Sequence, residues 1–136
     1  MEPSLYERTG RLPGSLELAY LGDALYELYV RSALIGSGNH VKALHRQAVG
    51  MVCAGYQARA FEALEGSLSP EERAVARRAR NAHQTPTKNA DIAEYHQATA
   101  LEALLGYLYL TGQQARLEEL LQRILNLKQE EDHLGV

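Results

Sequence analysis

The sequence predicts an all-α fold, a helical bundle, and three observations carry that expectation. Apolar residues recur at steps of three and four along most of the chain, the pattern of one buried helix face. No segment alternates with period two, as a half-buried strand would. Helix start and stop signals, such as Ser69-Pro70-Glu71-Glu72 and Thr111-Gly112, punctuate the periodic stretches.

The first long helix is expected from Ser15, offered as N-cap after Pro13-Gly14, to about Leu34. Its apolar line runs through Leu16, Tyr20, Val30 and Leu34, and Asp23 and Glu27 fall on the same line. Carboxylates on an apolar stripe are unexpected, because a buried, unpaired acid costs several kcal/mol and normally finds a partner, a proton or a metal. Gly22 adjoins Asp23, although glycine inside a helix costs roughly 1 kcal/mol, and a residue of this kind usually admits another backbone or a ligand. An acid beside a helix-weakening glycine marks a candidate site.

Gly36-Ser37-Gly38-Asn39 ends this helix. From His40 to Glu65 the apolar positions Val41, Leu44, Ala48, Val52, Tyr56, Ala60 and Leu64 keep a helical step, with Gly50 and Gly55 interrupting, so one bent helix or two abutting ones are expected. Ser69 with Glu72 forms a capping box, and Pro70 suits the first helical position. The short helix that follows is basic: Arg73, Arg77 and Arg80 share a face with Arg78 beside them, and the polar loop from Asn81 to Ala90 follows. Asp91 with Glu94 repeats the capping-box pattern and opens a helix to about Leu110, with Ala98, Leu101, Leu105 and Leu108 as its apolar line and Glu102 one residue off it. A last amphipathic helix spans about Gln113 to Leu127, and Lys128 to Val136 is expected as a solvated tail.

A chain of 136 residues fits a single domain, positions 1–136 with a core over about 15–127, large enough to bury about two-thirds of its unfolded surface without disulfides. Cys53 is the only cysteine, which excludes an internal bridge and fits a reducing compartment; a small buried apolar role is its expected one. Neither a signal sequence nor a membrane span is evident, so a cytoplasmic protein is expected. The formal charge of −3, from 14 basic and 17 acidic residues, excludes coating of nucleic acid by bulk charge. Five of the basic residues lie between Arg73 and Lys88, so any nucleic-acid contact is expected there. The five histidines lack the spacing of a zinc helix, and neither a glycine-rich phosphate loop nor a Gly-x-Ser-x-Gly elbow is present. Gly106-Tyr107-Leu108-Tyr109 and Gly55-Tyr56 are read as close helix packing rather than base-stacking platforms. On their own, Asp23 reads as a hydrogen-bonded structural acid and Glu102 as a helix-surface residue.

Leu-Ala-Tyr-Leu-Gly-Asp-Ala at 18–24 resembles the signature helix of the ribonuclease III catalytic domain, and Leu-Glu-Ala-Leu-Leu-Gly-Tyr-Leu-Tyr-Leu at 101–110 resembles its second acidic motif. Arg77-Arg78-Ala79-Arg80-Asn81-Ala82 and Lys88-Asn89-Ala90-Asp91 are similar to the compact Mini-III branch, in the right order and covering roughly residues 15–127 together with the motifs. The resemblance implies a homodimeric, Mg2+-dependent endoribonuclease that cleaves double-stranded RNA to 5′-phosphate and 3′-hydroxyl ends, with Asp23 and Glu102 as catalytic and metal-binding acids. It also implies maturation of precursor large-subunit (23S) ribosomal RNA, with a ribosomal protein bound to the substrate as a further partner. Full-length relatives carry two more acids where this chain has Ala19 and Thr99, and a separate RNA-binding domain for which no counterpart is expected here. The duplex is then held by the catalytic domain itself, with Arg77, Arg78, Arg80 and Lys88 as phosphate contacts and Asn81, Gln84 and Asn89 as groove contacts. Glu17 and Glu27 are candidate assistants. Surplus apolar residues on the first helix, Leu18, Leu21, Leu25 and Leu28, are expected to meet a partner subunit. The alternative is a non-catalytic RNA-binding or ribosome-assembly module on the same fold, which the missing acids would suit.

Overall fold

A computed structural model describes residues 5–82 and 91–133. The described residues form seven helices: α1 Leu5–Thr9, α2 Ser15–Ile35, α3 Val41–Val52, α4 Ala54–Glu65, α5 Pro70–Arg80, α6 Ile92–Leu110 and α7 Gln114–His133. No strand occurs among them, so the all-α expectation holds.

Helix α6 is the axis of the bundle, and α2, α4, α5 and α7 pack around it. Its residues Ala98 to Leu101, Ala103 to Gly106 and Leu108 are all buried, the composition of a helix surrounded by others rather than lying on one face. Tyr26, Val30, Tyr56, Phe61, Leu64, Leu120 and Ile124 close the main core around α6. A smaller cluster, Leu18, Ala19, Val75, Ala79 and Ala103, joins α2, α5 and α6. The buried tyrosine hydroxyls are satisfied: Tyr26 donates to the Met51 carbonyl at 2.6 Å, and Tyr56 donates to the Ile124 carbonyl.

The capping chemistry read from the sequence is largely realised. Ser69 accepts from the Glu72 amide at 3.1 Å and Glu72 accepts from the Ser69 amide at 2.8 Å, completing the box. Glu72 is also buried against Arg116 of α7, which donates to both its carboxylate oxygens at 2.9 and 3.0 Å; these bonds hold its carboxyl below the usual glutamate range. Asp91 accepts from the Glu94 amide at 2.9 Å. Ser15 is the first helical residue rather than the cap; Gly14 holds the cap position and its amide donates to Glu17.

Four further expectations are corrected. The buried line of α2 runs through Leu18, Ala19, Gly22, Tyr26 and Val30, not through Tyr20, which is 85% exposed. The helix turns this face inward because Gly22 admits the α6 backbone at the crossing, where any larger side chain would collide. The stretch from 40 to 65 is two abutting helices, one of the two forms expected, but the break falls at Cys53, whose backbone is extended with ψ 151°, and not at Gly50 or Gly55. Cys53 is exposed there, not buried. Lys128 to His133 continue α7 instead of forming a tail; Lys128 lies over the Tyr56 ring at 5.5 Å and Glu131 binds Arg59 at 3.0 Å, which tie this last part to α4.

Two glycines set how closely α2 and α6 approach. A Cβ at Gly22 would lie 1.7 Å from the Glu102 carbonyl oxygen, and one at Gly106 would lie 2.2 Å from the Leu18 carbonyl oxygen. Backbone sits against backbone at both points, so neither collision can be relieved by rotating a side chain. Gly106→Ala is accordingly expected to lower stability by about 2–3 kcal/mol or to force the helices apart, seen as a reduced urea midpoint; an unchanged midpoint would refute the contact.

Candidate active site

The glycine contacts place Asp23 of α2 beside Glu102 of α6. Gly22 lies against the backbone of Glu102, and the next residue along α2 carries its carboxylate toward the same side. Their carboxyl groups are near enough for the charge of Asp23 to be felt at Glu102. They open into a cleft of about 400 Å³ between α2, α4 and α6, lined also by Ala19, Tyr20, Gln57, Tyr95 and Thr99.

Glu102 is half-buried and Asp23 more exposed, so the two acids sit at different depths of one cleft. Burial pushes the Glu102 carboxyl up to about 8, and the charge of Asp23 and a hydrogen bond with it add to the rise; Gln57 pulls the other way. The Glu102 carboxyl, crowded by Asp23 and with no basic side chain beside it among the described residues, therefore holds its proton at neutral pH.

Ala19 and Thr99 do not supply further acids. Ala19 is buried, and the Thr99 hydroxyl donates to the Tyr95 carbonyl at 3.0 Å within its own helix. Glu17 accepts from the Gly14 amide and Glu27 pairs with Arg31, so both act locally outside the cleft. Among the described residues no three His, Cys, Asp or Glu side chains cluster as a metal site.

Gln57 is the site residue that the sequence reading missed. It is 3% exposed on α4, its Nε2 donates to the Val52 carbonyl at 2.9 Å, and its Oε1 is buried without a hydrogen-bond partner. Its position is i−3, i−4 and i−7 from Ala60, Phe61 and Leu64, a buried face on which a lone polar residue was a legible signal.

The arginines stand elsewhere. Arg73, Arg77 and Arg80 line a second hollow of about 460 Å³ between α4 and α5, together with Glu62 and Glu65, and Arg80 pairs with Glu65 at 3.6 Å. Arg78 is exposed, and Asn81 caps α5. None of these lines the carboxylate cleft, so the acids and the basic face are not brought into one groove within the described chain. Gln84, Lys88 and Asn89 lie outside the described residues. Of the apolar surplus on α2, Leu18 is buried, Leu21 and Leu25 are half-buried, and Leu28 is 65% exposed.

Residues 16–113 match the Ribonuclease III domain, a span that contains both acids and both glycine contacts. A Mini-ribonuclease 3 of Symbiobacterium thermophilum is 52% identical over 110 residues, 79% of this chain and 84% of the relative. One from Brevibacillus brevis is 42% identical over 90% of this chain and 93% of its own. The crystal structure of a Fusobacterium nucleatum protein superposes with a TM-score of 0.80 at 29% identity, over 92% of this chain and 99% of that one. The chain thus belongs to the ribonuclease III family, and within it to the Mini-ribonuclease 3 branch. The expected enzyme class, endoribonuclease, holds with it.

The raised Glu102 carboxyl has a stability consequence. Below about 4.5, its ordinary value, the group is protonated in folded and unfolded chains alike; between 4.5 and about 8 only the folded chain holds the proton, so stability declines as pH rises through that window. In chelator-containing buffer, Glu102→Gln is expected to raise the melting temperature above that of the parent at pH 8, with the gap shrinking toward pH 5. A gap that does not change with pH would refute the assignment.

Proposed function

We propose that this chain is a Mg2+-dependent endonuclease for double-stranded RNA, in which Asp23 and Glu102 are the catalytic acids and the protein ligands of the cation. The observation that carries the reading is the meeting of these two carboxyl groups in one cleft, at a helix crossing that glycine alone permits.

The donor set fits the ion. Magnesium takes hard oxygen ligands, commonly one or two carboxylates, and completes its octahedron with water and substrate phosphate. The cleft offers two carboxylates, needs positive charge to hold both ionised, and has an unsatisfied acceptor in Gln57 Oε1. With Ala19 and Thr99 contributing no acid, most of the coordination falls to water and phosphate oxygens. The chemistry supplied on binding is Lewis acidity, which lowers the pKa of bound water and offsets charge on the scissile phosphate.

The protein residues do the rest. Asp23 stands at the more open depth of the cleft and Glu102 on its inner side. Water oxygen bonds to phosphorus and gives up one proton to solvent as the bond to the 3′-oxygen breaks, and that oxygen takes up one proton from solvent, giving 5′-phosphate and 3′-hydroxyl ends. Asp23→Asn keeps size but removes charge, and is expected to reduce cleavage of duplex RNA by at least about a thousandfold with fold and RNA binding retained. Gel assays on a duplex at saturating Mg2+ check this; an Asn variant that still cuts would overturn the reading.

Duplex binding is assigned to Arg77, Arg78, Arg80 and Lys88 as phosphate contacts, with Asn81, Gln84 and Asn89 at the groove. Arg77 and Arg78 are exposed on α5, which supports the role. Charge reversal at Arg77, Arg78 and Lys88 together is expected to weaken duplex binding roughly a hundredfold in low salt and to flatten its salt dependence; equal slopes in a salt titration would refute it. We further assign a homodimer, so that two sites cut the two strands. Tyr20 and Leu28, 85% and 65% exposed on α2, support an apolar subunit contact. Precursor 23S ribosomal RNA in the cytoplasm, with a ribosomal protein bound to it, is the proposed setting. No helix among the described residues is long and apolar enough to cross a membrane.

A further inference from the structure

Two buried polar side chains besides the acids line the cleft, Thr99 and Gln57; the Thr99 hydroxyl is bound within its own helix, whereas Gln57 is left unused by hydrolysis with two acids. Gln57 enters from α4, opposite the crossing of α2 and α6, and is almost wholly enclosed. Its orientation is fixed: the Val52 carbonyl accepts at 2.9 Å, so the contacting atom is the amide nitrogen and Oε1 is turned away. Val52 is the last residue of α3, where a helix leaves its final carbonyls unsatisfied, and the extended Cys53 brings α4 back beneath it. Gln57 therefore caps α3 from the next helix. The amide nitrogen has a second hydrogen, and Gln57 lines the cleft together with Glu102, whose charged form it favours.

The remaining atom gives the direction of the inference. A buried carbonyl oxygen without a donor costs about 1–3 kcal/mol, and such atoms in folded proteins are normally met by a water, an ion's hydration shell or a ligand. The donors expected in this cleft are waters around a cation between Asp23 and Glu102. Apolar residues of similar size would fill the α4 position without that cost.

We propose that Gln57 is a positioning residue of the cation site: one N–H is anchored on the Val52 carbonyl, the second holds the Glu102 carboxylate, and Oε1 accepts from a water of the hydrated ion. This rests on the Asp23 and Glu102 reading above. It gives the site a third, uncharged contributor in place of the acids absent at Ala19 and Thr99. It also connects the metal ligand on α6 to the α3–α4 junction. Partners of this kind, beyond the direct ligands, typically tune metal affinity by 10–100-fold.

The test uses Mn2+ as a spectroscopic stand-in for Mg2+, titrated into the full chain without RNA and followed by electron paramagnetic resonance. Gln57→Met keeps length and helix propensity but removes both hydrogen-bonding functions. It is expected to bind Mn2+ about tenfold more weakly and to need correspondingly more Mg2+ for half-maximal cleavage, with KM for duplex RNA unchanged at saturating metal. Native Mn2+ affinity in a folded Gln57→Met protein overturns the proposal. Should that variant fail to fold by circular dichroism, Gln57→Glu decides: it keeps an acceptor oxygen and loses the N–H clamp, so slowed cleavage with Mn2+ still bound supports the role, and cleavage at the native rate overturns it. Asp23→Asn is the control that separates the two readings. If it abolishes Mn2+ binding while Gln57→Met does not, only the role of Gln57 falls; if neither alters binding, the cation site itself is wrong.

Discussion

The direct contact of two helix backbones, α2 on α6, is the constraint from which the rest of this structure follows. Gly22 lies on the main chain of Glu102, and Gly106 lies on that of Leu18. Most helix pairs are separated by their side chains at 8–10 Å between axes. Here the separating layer is missing at two points one turn apart in each helix, which fixes rotation as well as distance. The cost of glycine in a helix, roughly 1 kcal/mol each, is accepted at the places where any other residue would drive the carboxylates apart. Conventional side-chain packing then surrounds the crossing, with Tyr26 and Val30 continuing the seam of α2 into the main core and Val75 and Ala79 of α5 closing its other end.

The electrostatics of the cleft come from that geometry. A carboxylate on a helix surface is solvated and unremarkable, whereas two brought together at the edge of a core repel and are partly stripped of water. The inner acid, Glu102, takes the larger share of the perturbation because it is more enclosed. Perturbed acids in clefts are a common mark of functional sites, though structural networks also produce them. Glu72 provides the contrast within the same chain: it is more deeply buried than Glu102, yet Arg116 and the Ser69 amide satisfy it and its carboxyl is held low. One buried acid is neutralised by the protein and serves structure. The other has no such basic partner among the described residues, and its carboxyl is held high.

Much of this was legible in the sequence, and the reasons differ by residue. Helix caps at Ser69 and Asp91 are local chemistry and transfer directly to the structure. Gly22 beside Asp23 was recognisable as an anomaly, since a helix-weakening residue runs against the periodic pattern, although the stripe on which Asp23 was placed is not the buried one. The face of α2 was misread because hydrophobicity favours Tyr20 over Gly22 and Ala19, while packing against a neighbouring backbone favours the reverse. Gln57 was overlooked for a related reason: the periodic reading followed Tyr56 and Ala60, one residue to the side. The arginine stripe was correctly placed on one helix, but periodicity holds no information on which neighbour that helix face meets, and Arg73, Arg77 and Arg80 turned out to face α4.

The locked crossing divides the chain into parts with very different tolerance for change in length. Loops at 36–40 and 66–69 can grow at an entropic cost that rises only logarithmically with their size. Inside α2 or α6 a single inserted amino acid would turn everything beyond it by about 100°. Such an insertion ahead of Asp23 would swing its carboxylate a quarter of the way round the cylinder, out of reach of its counterpart, and would bring a bulky side chain where glycine is required. Changes in length are therefore absorbed at the rims of the bundle, while the spacing from 18 to 23 and from 102 to 106 is held by geometry.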